Sequence, residues 1–307
     1  MIEKREVLRA GVIGAGVFGG YHAAKYASLP GVVLAGVYDH HRVHAESLAA
    51  RCGGQVYASE EALIADVDIV SVATPALAHA PSALAALRAG RSVYVEKPLA
   101  VRREDALEIA EEAKARGLVV ACGFLERAGV AAMGLFDVAE RPLLVESTRL
   151  GPPSPRNLDV SVVLDLMIHD LDMALALGAD GLRGLTARAE GGPEGLADEA
   201  WAEAAFELGL VCRFRASRRA ADRERTMRLV YPSGEVTVDF LTHRFENTTP
   251  FSFDPAFHET PSGKDRLGAS MEAFIAAARG EAVRPLASAE DGVRALDLAL
   301  RVEEAAA

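Results

Sequence analysis

Three parts of this 307-residue chain combine residue type and spacing in a way that could do chemistry. Gly14-Ala15-Gly16-Val17-Phe18-Gly19 is a Gly-x-Gly-x-x-Gly loop, and loops of that kind let backbone N–H groups approach a phosphate closely. Glu96-Lys97-Pro98 sets a cation directly after the apolar run Ser92 to Val95. Asp165, His169 and Asp172 recur at i, i+4 and i+7, which on a helix puts an imidazole and two carboxylates on one stripe, with Asp170 pointing elsewhere. Their neighbours Val163, Leu164, Leu166, Met167, Ile168, Leu171 and Met173 are apolar, so the stripe is buried and needs partners. A general acid–base group, a divalent metal site and a structural polar network would each satisfy it.

The elements that must position these residues are legible from periodicity. Val7 to Ile13 reads as a buried strand, the glycine loop follows at once, and Val17 to Ser28 reads as a helix. A second strand, Val32 to Tyr38, ends in Asp39, 25 residues beyond Gly14. Helix and strand then alternate to Cys122, with Ser59 placed to cap a short helix. That alternation implies a doubly wound parallel sheet over residues 1–122, a Rossmann domain with a dinucleotide pyrophosphate on the loop and Asp39 on the adenosine ribose. A carboxylate there favours NAD over NADP, although His40, His41 and Arg42 could receive a 2′-phosphate and leave NADP open. Ala73-Thr74-Pro75 with His79 follows the fourth strand and Glu96-Lys97-Pro98 the fifth, where such sheets bind ligands.

Beyond Gly123 the pattern changes, and residues 123–307 read as an α+β domain. A helix is expected over 162–177. Cys212, Phe214 and Ala216, then Met227, Leu229 and Tyr231, then Val236, Val238 and Phe240 alternate with period two, with Pro232-Ser233-Gly234 as a turn, so an open, mostly antiparallel sheet is expected. Helices over 267–279 and 289–304 close the chain. Between Arg149 and Arg156 three prolines stiffen a loop holding two guanidinium groups, a chemistry that suits phosphate.

The 33 basic and 44 acidic residues give a net charge of −11, which argues against nucleic acid or an anionic membrane as partner. Cys52, Cys122 and Cys212 lie far apart and suggest neither a disulfide framework nor a zinc ribbon, so the cytoplasm is the expected compartment. No apolar run is long enough for a membrane span, and the charged N-terminus does not look like a secretory signal.

The glycine loop, Val72-Ala73-Thr74-Pro75 with His79, and Val95-Glu96-Lys97-Pro98-Leu99 together resemble the Gfo/Idh/MocA oxidoreductases. The resemblance implies NAD(P)-dependent oxidation of an alcohol. It also makes Lys97 a neighbour of the reacting hydroxyl, and Asp165 with His169 the family's Asp-x-x-x-His catalytic pair without a bound metal. Hydride transfer needs a base for the hydroxyl proton, which a neutral imidazole supplies near neutral pH, so His169 is the expected base. Lys97 then stabilises the alkoxide and Asp165 orients the ring, with the roles of Lys97 and His169 exchangeable.

Gly123-Phe124-Leu125-Glu126-Arg127, Arg149 to Arg156 and Val163 to Asp172 look similar to the branch containing UDP-N-acetylglucosamine 3-dehydrogenases. That likeness implies a sugar or nucleotide-sugar substrate, with Arg127, Arg149 and Arg156 beside Lys97, Asp165 and His169 as its contacts. It further implies a homodimer or homotetramer joined through the C-terminal sheet. The chain departs from the family at Ala128-Gly129-Val130, where Phe-Asn-Pro is common, and at Met167-Ile168, where glycines are common. A dehydrogenase of a free polyol, inositol or sugar acid and a non-catalytic sensor of NAD(H) are the alternatives.

Overall fold

The computed structural model describes residues 7–154, 159–192 and 195–307. The described residues divide into two compact units, one within 7–125 and 265–293, the other within 126–264 and 294–307.

In the first unit the elements run β1 (Leu8–Ile13), α1 (Val17–Ser28), β2 (Val32–Tyr38), α2 (Arg42–Cys52), β3 (Gln55–Val56), α3 (Glu60–Asp66), β4 (Ile69–Val72), α4 (His79–Arg88), β5 (Ser92–Val95), α5 (Arg103–Arg116) and β6 (Val120–Cys122). The six strands order as β3-β2-β1-β4-β5-β6, all parallel. This is the doubly wound sheet expected, with the strand order reversing between β1 and β4, where such sheets leave a crevice. Ser59 caps α3 by accepting a hydrogen bond from the Ala62 N–H at 3.2 Å.

The second unit opens with α6 (Glu126–Met133) and continues through β7 (Leu144–Leu150), a π-helical turn Val163–Met167, α7 (Ile168–Ala176), β8 (Leu182–Gly191), β9 (Ala197–Phe206), β10 (Val211–Ser217), β11 (Glu224–Tyr231), β12 (Gly234–Asp239), β13 (Phe245–Asn247) and α8 (Pro261–Lys264). Its seven strands order as β13-β12-β11-β7-β10-β9-β8. Only β7 and β10 run parallel, and every other neighbouring pair is antiparallel.

Two features depart from the expected course. A single boundary after residue 122 does not describe the units, because α9 (Arg266–Ala278) returns to the first one. Its face of Met271, Phe274 and Ile275 joins a core with Leu8, Val12, Tyr26, Val37 and Tyr94, and an amphipathic helix goes where its apolar face is buried. The last helix, α10 (Ala289–Ala306), spans the later boundary. The helix expected over 162–177 is interrupted at its start by the π turn, which alters the angular spacing of Asp165 relative to His169 and Asp172.

Candidate functional site

In the first unit the ends of β1, β2, β4 and β5 bring four loops together. Gly14 donates its N–H to Tyr38 O at 2.8 Å, Ala73 to Ile13 O at 2.8 Å, and Glu96 to Val72 O at 2.9 Å. Gly14 has φ +95°, and a Cβ there would lie 2.6 Å from Ala73 O, so only glycine fits. At Gly19 a Cβ would fall 1.8 Å from Gly14 O, which makes that glycine the condition for α1 to start so close to β1.

Gly16 differs from both. A Cβ on it would meet nothing within 4 Å, so its open side faces free space at the first turn of α1. No side chain caps that helix and no acidic residue lies in its first turn, while Val17 is exposed and Phe18 half-buried. The first-turn N–H groups of a helix have no partner within the helix, and beside open space they suit a pyrophosphate. Asp39 braces the loop from β2, accepting from Ala15 N at 2.7 Å with one oxygen and from His41 N at 2.8 Å with the other. Across the crevice Thr74 presents a buried hydroxyl oxygen that has no hydrogen-bond partner among the described residues. The residues present therefore fit a dinucleotide.

Two of the expected cofactor contacts turn inward instead. His79 is buried with Nδ1 2.6 Å from Pro98 O and Nε2 3.0 Å from Thr74 O, so it staples the β4 and β5 loops. Burial pushes its pKa down, and the Pro98 and Thr74 carbonyls oppose that shift. Glu96 is 6% exposed and its Oε1 lies 2.8 Å from His22 Nε2, with His22 Nδ1 in turn 2.9 Å from Ser71 Oγ. Burial pushes the Glu96 carboxyl up, but His22 outweighs it and holds the carboxyl below its ordinary value. Lys97 follows on the half-buried rim of the same loop.

The second unit centres on a buried charge network that ties α6, β7 and α7 together. Arg149 on β7 forks onto Asp170 at 3.0 and 2.9 Å and donates to Glu126 Oε1 at 2.9 Å. The other Glu126 oxygen lies 2.9 Å from His169 Nδ1. Burial would raise the Glu126 pKa, yet the His169 and Arg149 charges hold it well below the usual carboxylate range. Arg127 forks onto Asp172 at 2.9 and 2.6 Å, and Asp165 lies 3.9 Å from the Arg218 guanidinium.

Measured against expectation, the unit keeps Asp165 and His169 on one helical segment but gives Asp172 to Arg127. Arg127 and Arg149, expected as substrate contacts, have their guanidinium groups neutralised by protein carboxylates, because buried arginines must be paired. Arg156 lies outside the described residues. Glu126 is the residue that sequence reasoning passed over. Its signal was a carboxylate in the first turn of a short helix directly after β6, which acquires meaning only beside His169.

Among the described residues no cluster of His, Cys, Asp and Glu is arranged to hold a metal, and no helix is long and apolar enough to cross a membrane.

Residues 8–124 match the family model described as an oxidoreductase family with an NAD-binding Rossmann fold. Over 280 residues the chain is 35% identical to the UDP-N-acetylglucosamine 3-dehydrogenase of Acidithiobacillus ferrooxidans, covering 87% of this chain and 88% of that protein. A solved structure of that dehydrogenase superposes with a TM-score of 0.89 at 33% identity over 97% of both chains. An inositol 2-dehydrogenase of Cereibacter sphaeroides is 32% identical over 175 residues, 54% of this chain and 52% of that one. With its glycine loop, Rossmann sheet and near full-length likeness to one such dehydrogenase, the chain belongs to the Gfo/Idh/MocA family of NAD-binding oxidoreductases.

Proposed function

We propose that the protein oxidises the 3-hydroxyl of a UDP-N-acetyl amino sugar to a ketone with NAD. The observation that carries the reaction type is the contact of His169 Nδ1 with the buried Glu126 carboxylate at 2.9 Å, since a base held by a third group is what proton removal requires. The likeness to a UDP-N-acetylglucosamine 3-dehydrogenase along most of both chains supports the substrate class.

Gly14, Gly16 and Gly19, with the amides of Val17 and Phe18, hold the pyrophosphate, Asp39 the ribose, and the Ala73-Thr74-Pro75 loop the far side of the crevice. Bound NAD supplies the carbon that accepts hydride from the alcohol. His169 takes the hydroxyl proton, and Glu126 orients the ring and stabilises it once protonated. Lys97 stabilises the oxygen as negative charge develops, and Asp165 adds a second carboxylate on the helical segment of His169. Glu96 and His79 shape the Lys97 loop from within.

A free polyol is the second reading, favoured by one observation: Arg127 and Arg149 are neutralised within the protein and offer no free charge to a phosphate. NAD reduction with UDP-N-acetylglucosamine, inositol and glucose separates the two. NADH formation with inositol alone would replace the first reading by the second. Lys97→Ala and His169→Ala are each expected to abolish most turnover, and near-normal turnover in His169→Ala removes it as the base.

The proposal places the enzyme in the cytoplasm as a homodimer or homotetramer. Its interface is the outer face of the second sheet, which carries a hollow of about 770 Å³ lined by Thr148, Arg188, Trp201, Arg213, Arg215 and Arg228. Light scattering of the native protein and of Trp201→Glu tests this, with an unchanged mass in the variant counting against that face.

A further inference from the structure

With Arg127 and Arg149 paired internally, the charge that could meet a phosphate must come from elsewhere, and the sheet register supplies a candidate. Arg225, near the start of β11, lies directly opposite Arg149 on β7. Cross-strand partners share a face, so Arg225 points to the side of the sheet from which Arg149 reaches Glu126 and Asp170. The same face of β11 continues with Met227, Leu229 and Tyr231, all buried. An apolar stripe thus ends in Arg225, an exposed residue whose charged end is partly desolvated, at the end of β7 that carries Arg149.

That guanidinium has no ion-pair or hydrogen-bond partner among the described residues, and neither has the side chain of Arg223. The contrast with arginines of β10 and β11 is sharp. Arg213 reaches Glu203 at 2.7 Å, Arg215 reaches Glu199 at 3.1 Å, and Arg228 reaches Glu235 at 2.6 Å. Of the nearby acids, Glu224 alternates to the opposite face and accepts from Thr226 Oγ1 at 3.0 Å, while Asp222 lies in the turn before the strand. Burial and the Arg149 charge both push the Arg225 pKa down, with Arg223 adding to them and Glu126 and Asp170 opposing. The Arg149 charge is balanced by Glu126 and Asp170, so Arg225 stands beside that network with its own charge unpaired among the described residues.

We propose that Arg225, assisted by Arg223, forms the subsite for a phosphate-bearing part of the substrate, a diphosphate of the kind carried by a nucleoside-diphosphate sugar. This rests on the nucleotide-sugar reading above and gives it the free cation that Arg127 and Arg149 do not provide. A guanidinium fork suits two phosphate oxygens, whereas an ammonium supplies charge without the planar geometry.

The test is calorimetric titration of the full-length protein with UDP, and with uridine as the uncharged probe, in wild type, Arg225→Ala, Arg225→Lys and Arg223→Ala. The expected result is that wild type binds UDP more tightly than uridine, and that Arg225→Ala weakens UDP by about 10- to 100-fold, as for loss of a charge-assisted pair, with uridine unaffected. Arg225→Lys should recover part of the loss and Arg223→Ala should cost less. Added salt should weaken UDP binding to wild type more steeply than to Arg225→Ala. Equal UDP affinity in wild type and Arg225→Ala, or no preference for UDP over uridine in wild type, overturns the subsite. UDP binding through Arg225 without NADH formation from UDP-N-acetylglucosamine leaves the subsite standing and removes the substrate reading instead. A rise in KM for that sugar in Arg225→Ala that exceeds the fall in kcat supports both.

Discussion

Glu126 grips His169 and Arg149 at once, with Oε2 at 2.9 Å from the ring nitrogen of the first and Oε1 at 2.9 Å from the guanidinium of the second. Arg149 also forks onto Asp170, the residue next to His169 in the chain, so one guanidinium ties together the carboxylate partner of the imidazole and the backbone neighbour of His169.

The first prediction follows from that grip. Glu126→Gln keeps the shape and removes the charge, so kcat should fall by about 10²-fold or more, as when the carboxylate behind a catalytic histidine is neutralised. KM should change little, because Glu126 is assigned no contact with substrate. Steady-state NADH formation measures both, and wild-type kcat in the variant would end the orienting role.

The second concerns acid stability. Burial alone would raise the Glu126 and Glu96 carboxyls, but His169 with Arg149 and His22, respectively, bring both below their ordinary values. A depressed folded-state pKa contributes stability above the unfolded value near ~4.3, and that contribution is lost as the pH falls through the folded value. Wild type should therefore lose stability steeply below about pH 4, where Glu96→Gln, less stable at neutral pH, should show a shallower fall. His22→Ala strands a buried carboxylate and should cost about 3–5 kcal/mol. Denaturant midpoints across this range decide the matter, and parallel curves for wild type and Glu96→Gln would refute it.

The glycine loop yields a paired prediction. Gly16→Ala adds a methyl where the protein has nothing within 4 Å, so Tm should stay close to wild type while NAD affinity falls by about 10-fold or more as the methyl meets the cofactor. Gly19→Ala puts a Cβ 1.8 Å from Gly14 O and should lower Tm itself. Thermal melts with and without NAD separate the two, and equal Tm losses would mean that Gly16 is structural.

Cofactor choice is tested at Asp39. Its oxygens brace Ala15 and His41, and His44 Nδ1 stands 3.7 Å away, with His40 and Arg42 beside them in sequence. Asp39→Ala should weaken NAD by about 10-fold through loss of the ribose contact and the brace. It should also raise the NADP to NAD ratio of kcat/KM, since the repelling carboxylate is gone and the Arg42 cation remains. An unchanged ratio would assign Asp39 to bracing alone.

What the sequence determined by itself was local. The Gly14 to Gly19 loop, the strand ending at Asp39 and the helix caps follow from spacing, periodicity and steric rules that act within a few residues, and the observed α1 and β2 match the expected ranges residue for residue. The doubly wound sheet followed because strand and helix alternation permits few other arrangements. Only the tertiary structure decided which charges meet. The pairings Glu126 with His169, Arg127 with Asp172, Arg149 with Asp170 and His22 with Glu96 join residues distant in sequence or on different elements, and no periodicity encodes which carboxylate a buried cation will find. Likewise α9 returns to the first unit because its apolar face is buried there, and the π turn re-spaces the stripe that an ideal helix would have kept in line. Arg225 shows the same division in reverse: its charge was plain in the sequence, but that it faces the Arg149 network, without a partner among the described residues, is a fact of strand register and side-chain packing.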